Sequence, residues 1–228
     1  TWSPSHAIPM DYPTDPPRTI HPYGPIIEMS DGRWAFCSVW AWRKKNRVTR
    51  ALLVWSHDGG KTWSKPIAWP TAADGNHGLT EATIAQVAPQ KYVAAIRSDE
   101  GGDKCWDGGY FSQSEDGVAW SVPQPFTNRV GEKVNMPKFY RIGDQWVLTY
   151  RLWNPKESIS LSALRVSRNG IEWSEPILIG ADPSYNNGPF LVRVKKQLIA
   201  LNHRYPNRQS ITRTVIDLHK LSRPLRAE

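Results

Sequence analysis

The chain has 228 residues, 39% of them hydrophobic and 22% charged, and a net charge of +8 at pH 7. That balance suits a globular protein with a substantial core and excludes a disordered chain. No apolar run reaches the length of a bilayer-spanning helix, so no membrane insertion is expected, and two cysteines, Cys37 and Cys105, are too few for a disulfide framework.

In chain order the elements are short and rich in Val, Ile, Tyr and Trp, bounded by Gly, Pro, Asn and Asp, which are strand signals. The opening Thr1-Trp2-Ser3-Pro4 looks like the second half of a turn, followed by a strand segment from His6 to Met10. First strands are predicted at Pro25–Met29, Ala82–Val87, Pro137–Ile142 and Pro189–Val194. Each is followed by a tight turn, such as Ser30-Asp31-Gly32 or Gly143-Asp144, and a second strand: Trp34–Trp42, Tyr92–Arg97, Trp146–Leu152 and Leu198–Arg204. Third strands run into turns closed by Trp63, Trp120 and Trp173, spaced 57 and 53 residues apart, and short fourth strands follow at Pro66–Trp69, Pro123–Phe126 and Pro176–Ile179. Four antiparallel strands repeating with a period of about 50 residues describe the blade of an all-β propeller. A β-sandwich has no reason to repeat one turn at each third-to-fourth connection. We therefore expect residues 1–228 to form a single propeller domain with four visible blades. Its last unit has three strands, so either the segment from His6 to Met10 supplies the fourth and closes a four-bladed ring, or the chain belongs to a larger, six-bladed one.

The positive charge is concentrated in Arg43-Lys44-Lys45-Asn46-Arg47, with no nucleic-acid-binding motif around it. Nucleic acid is not an expected partner; an excess of cations suits acidic glycans equally well.

Ser56-His57-Asp58-Gly59-Gly60-Lys61-Thr62-Trp63 resembles the Asp-box of the sialidase superfamily in its long form, and Ser114 to Trp120 resembles the short form. Ser167 to Trp173 is similar, with Asn169 in place of Asp. The boxes imply fold, not activity: their side chains bond the turn's own backbone while the Trp packs between blades.

In an up-and-down blade the boxes share a face with the first turns, and chemistry belongs on the opposite face. There the second strands end in Arg43, Arg97, Arg151 and Arg204, at intervals of 54, 54 and 53 residues. Guanidinium groups converging on a channel mouth are costly without an anion, and their planar forks fit a carboxylate; the plain alternative is repeated packing against blade carbonyls. The resemblance implies a sugar carboxylate held by arginines. Glu81 precedes its predicted strand, and cross-strand pairing puts it beside Arg97. The resemblance further implies that such a Glu activates a tyrosine nucleophile. Tyr185 is the candidate by position, with Tyr23 and Tyr205 as alternatives. Asp15 is a loop candidate for the acid. His77 joins the substrate-binding set, and His21 and His203 fall near the same face without metal-site spacing. No cofactor is expected. The implied function is a sialidase-like exo-glycosidase acting on acidic glycans, secreted or periplasmic, with no signal peptide visible in the sequence. The alternatives are a non-catalytic propeller that binds glycan or protein, and a polysaccharide lyase.

Overall fold

The computed structural model describes residues 19–41, 49–73, 78–98, 109–126, 133–154, 159–179, 188–195, 197–203 and 211–217. Within them the chain forms only strands, arranged in consecutive antiparallel sheets. The first holds β1 (Thr19–Glu28), β2 (Trp34–Ala41), β3 (Thr49–Ser56) and β4 (Ile67–Ala68) in that spatial order. The second holds β5 (Leu79–Ala88), β6 (Lys91–Ser98), β7 (Gly109–Ser114) and β8 (Gln124–Pro125). The third holds β9 (Lys133–Ile142), β10 (Gln145–Asn154), β11 (Ile159–Ser167) and β12 (Ile177–Leu178). The last has three strands, β13 (Phe190–Val194), β14 (Gln197–His203) and β15 (Ile211–Ile216). These are up-and-down propeller blades. The segment from His6 to Met10, expected to complete the last blade, lies outside the described residues.

The first three blades depart from the sequence reading at their inner strands. β1 begins six residues before Pro25, β5 three before Ala82, and β9 four before Pro137. Each of these strands carries a register break at the point where it had been expected to start: between Tyr23 and Ile27, between Leu79 and Ala82, and opposite Thr149 to Arg151. A β-bulge interrupts the two-residue alternation that marks a strand, so each strand reads as two unrelated pieces.

The Trp turns use one bonding scheme three times. The Oγ of Ser56, Ser114 and Ser167 accepts the N–H of Gly60, Gly117 and Gly170, each at 2.8 Å. Asp58 Oδ1 accepts from Thr62 N, while Asp116 Oδ1 takes the N–H groups of Val118 and Ala119. Asn169 Oδ1 does the same for Ile171 and Glu172, so the amide replaces the carboxylate because only an acceptor is needed. The serine after each Trp then caps the strand: Ser64, Ser121 and Ser174 accept from the backbone N–H of Trp55, Gln113 and Val166. The closing tryptophans are partly buried, and Trp120 and Trp173 pack between blades. Trp63 packs edge-on against Phe36, Trp120 tilts over Trp69, and Trp173 stacks on Phe111.

Blades meet through apolar sheet faces. Ala35, Cys37, Leu53 and Trp55 of the first pack on Ala82, Ile84, Ala94 and Ile96 of the second. Ala95 and Phe111 continue onto Leu148 and Tyr150, and Val147 and Leu164 onto Leu191 and Ala200. At the hairpin end, Gly117 lies so close to Trp55 that a Cβ would stand 2.7 Å from the ring, while Trp55 Nε1 donates to Gly117 O at 3.1 Å. Arg33, beside the first hairpin turn, donates to Asp116 O and Tyr92 Oη and lies over the Trp55 ring. Hairpin turns and Trp turns therefore share one face, which leaves the outer ends of β5 and β6 on the other.

Candidate active site

The register break in β5 sets Thr80 and Glu81 against Arg97 alone. Glu81 thus stands inside a strand, not ahead of it, and the bulge turns its carboxylate toward Arg97. Arg97 Nη1 donates to Glu81 Oε1 at 3.0 Å, and both side chains keep about a fifth of their surface open (23% and 19%). The other oxygen, Glu81 Oε2, accepts the backbone N–H of Met136 at 3.2 Å from the next blade.

That N–H is presented by the bulge in β9. Asn135 pairs with Arg151 and Lys138 with Thr149, so Met136 and Pro137 together face Tyr150. Met136 has φ of 54°, a left-handed conformation that costs a non-glycine residue about 1–2 kcal/mol. Such strain collects where a group must be aimed. Gly188 makes the arrangement possible from the other side. A Cβ there would lie 2.4 Å from Met136 O and 3.3 Å from the Tyr150 Cα.

Tyr23 reaches the same place from the first blade. It pairs with Cys37 at the bulge of β1, and its hydroxyl donates to Pro137 O of the third blade at 3.4 Å. Burial raises the Tyr23 phenol well above its ordinary range; the Glu81 charge adds to this and Arg97 opposes it. At neutral pH the phenol is protonated. Arg151 completes the group. Burial lowers its pKa, the neighbouring Arg97 charge lowers it further, and Glu81 and Tyr23 oppose both. Two guanidinium groups, one carboxylate and one phenol thus share a single electrostatic neighbourhood. Lys138 lies beside it, with its pKa lowered by burial to about 8 and supported by the Glu81 charge.

Of the residues singled out in the sequence, Glu81, Arg97 and Arg151 are brought together. Arg43, Arg204, Tyr185, Asp15, His77 and Tyr205 lie outside the described residues. Tyr23, read as one alternative among three, is the described tyrosine in the field of Glu81. Lys138 and the Met136 N–H were missed. The signal for Met136 was the pair Met136-Pro137, aligned with Glu81-Ala82 and Gly188-Pro189 at the same point of the repeat. Among the described residues no group of His, Cys, Asp and Glu could hold a metal ion.

No protein-family model matches this chain, and no curated protein does. Solved structures do. A protein of unknown function from Dyadobacter fermentans is similar over 83% of this chain, with a TM-score of 0.64 and 17% identity. A Hadza microbial sialidase, Hz136, is similar over 86%, with a TM-score of 0.62 and 20% identity. Zg3597, a family 117 glycoside hydrolase produced by Zobellia galactanivorans, is similar over 92%, with a TM-score of 0.60 and 13% identity. The likeness is one of fold. It rests on the blades and identifies no substrate. The chain spans about half (51%) of the first structure's length, 37% of the second's and 70% of the third's.

Proposed function

We propose that the protein is a glycoside hydrolase of sialidase-like type, acting at chain ends on acidic glycans outside the cytoplasm. The carrying observation is the Glu81 carboxylate, fixed between Arg97 Nη1 and the Met136 N–H and sharing its field with Tyr23 and Arg151. The propeller fold shared with a sialidase and a family 117 glycoside hydrolase supports the reaction class.

Arg97 and Arg151 are the cations for a sugar carboxylate, with Arg204, Arg43 and His77 as further contacts in the same scheme. Each charge-assisted bond is worth about 1.5–3 kcal/mol in such a pocket. Tyr23 replaces Tyr185 as the preferred nucleophile. Because its phenol is held neutral at rest, Glu81 serves as the base that takes the proton as the Tyr23 oxygen bonds the anomeric carbon. The glycosidic bond breaks at the same centre, and its oxygen takes a proton from an acid, the role assigned to Asp15. Water then attacks the anomeric carbon and gives a proton to the Asp15 carboxylate, while the tyrosyl C–O bond breaks and Glu81 returns its proton to the Tyr23 oxygen.

One observation favours a second reading, a propeller that binds acidic glycan without cleaving it. The Tyr23 hydroxyl donates to Pro137 O, and both Glu81 oxygens already accept bonds. Incubation with aryl glycosides of sialic acid, glucuronic acid and arabinose separates the two. The hydrolase reading expects release of the aryl group from an acidic substrate and its loss, by about 100-fold or more, in Glu81→Gln. Binding of the acidic glycoside with no release from any substrate would establish the second reading.

A further inference from the structure

Lys138 is 5% exposed, yet among the described residues its charge forms no ion pair. Its Nζ donates to Met136 O at 3.3 Å and to Gly188 O at 3.1 Å, and lies 4.4 Å from the centre of the Phe190 ring. Among the described residues no carboxylate stands within ion-pair distance of it. Glu81, whose field reaches Lys138, is already held by Arg97 and Met136. Two carbonyls and the Phe190 ring face the ammonium, but none of them carries a full negative charge, and a buried ammonium without a counter-anion is costly.

Lys138 lines an open cavity of about 930 Å³ between the inner strands β1, β5, β9 and β13. Its walls are mostly apolar, formed largely by Pro25, Ile27, Ile84, Tyr140, Trp146 and Leu191, with Glu28, Gln86 and Arg141 also on the lining. That volume is within the range of small-molecule sites, roughly 300–1,000 Å³. Glu81, Arg97 and Arg151 do not line it, whereas Tyr23 and Met136 do, so those two residues stand between the cavity and the charged cluster. A sugar would lose the hydration of its hydroxyl groups against such walls and regain few bonds. An apolar chain would not.

We propose that this cavity is a second binding site, for an amphipathic carboxylate whose hydrocarbon body lies along the inner strands and whose carboxylate pairs with Lys138. The site adjoins the proposed hydrolytic one, with Tyr23 and Met136 on the shared wall, and calls for a different ligand.

Calorimetric titration of the full chain with decanoate and with decanol, below their aggregation limits, tests this. Decanoate is expected to bind saturably and more tightly than decanol, and Lys138→Met to weaken decanoate by about tenfold or more while leaving decanol unchanged. Should that variant not fold, Val192→Trp, which narrows the cavity away from Lys138, is expected to weaken both ligands. Glucuronate added in excess is expected not to displace decanoate. Absence of saturable decanoate binding, equal decanoate affinity in the wild type and Lys138→Met, unchanged affinity in Val192→Trp, or displacement by glucuronate would each overturn the proposal. None of these results bears on whether aryl glycosides are cleaved, so the two readings fail separately.

Discussion

The two faces of these blades are built by the same four strands and resolve their polar groups in opposite ways. At the hairpin face, each Trp turn satisfies itself. Serine, aspartate or asparagine and a following serine accept backbone N–H groups within the turn, three times over with bond lengths that hardly change. At the other face the repeat is broken. Glu81 has no counterpart where Met136 and Gly188 stand in the next blades, and its carboxylate is satisfied by two different blades. Repetition marks the face that holds the fold together. Asymmetry marks the face where the proposed chemistry sits.

The comparison is tested most severely by Gly117→Ala. The residue sits at φ of 76° with Trp55 in the way of a Cβ, so the substitution combines left-handed strain with overpacking and is expected to cost about 2–4 kcal/mol. Denaturant titration measures the loss, and turnover per folded molecule should be unchanged. A Gly117→Ala protein of normal stability would show that the hairpin face is not the structural one.

Lys138 sharpens the contrast from the opposite side, because its burial destabilises. Its pKa is held near 8, against an ordinary 10.5. Between those values the unfolded chain binds more protons, so stability rises with pH across that window, and the full cost stands below pH 8. Measured against Lys138→Met, which has no amine to titrate, the wild type should gain on the order of 3 kcal/mol of stability between pH 7 and pH 10.5. Melting curves of both proteins at pH 7 and pH 10 check this, and a stability difference that does not change between the two pH values would contradict it.

The smallest effect belongs to Asp58, which is fully exposed. Its bonds from the Thr62 hydroxyl and N–H, with Ser56 behind them, hold its pKa down to about 2. The stability this gives is present above the ordinary carboxylate range and is lost as pH falls toward 2. Asp58→Asn keeps an acceptor, as Asn169 does in the third turn, and should flatten the acid arm of the stability profile with little change at pH 7. An unchanged acid arm would mean that the turn bonds contribute nothing.

The regular face was legible in the sequence, and the irregular face only in part. Trp63, Trp120 and Trp173 fixed the period because turn chemistry is local: a serine two residues before its acceptor partner needs no distant blade to be recognised. Arg97 and Arg151 were found through that same period. Tyr23 was undervalued because Gly24-Pro25 reads as the end of a loop, whereas the chain runs straight through it as a bulged strand. Lys138 gave no signal, because one lysine among Pro137, Phe139 and Tyr140 reads as a solvent-facing position. Only the approach of Gly188 and Phe190 from the next blade shows that it is buried, and no local pattern encodes that approach.

The central claim is that Arg97 and Arg151 receive a carboxylate next to Glu81. The most direct measurement is calorimetric titration of sialic acid and of glucuronic acid, each beside its methyl ester, into the wild type and Arg151→Ala. One of the two acids is expected to bind while its ester binds at least about tenfold more weakly, with Arg151→Ala reducing the acid to the level of the ester. Equal binding of acid and ester, or an acid affinity untouched by Arg151→Ala, would contradict the account and leave the arginines as packing residues of their blades.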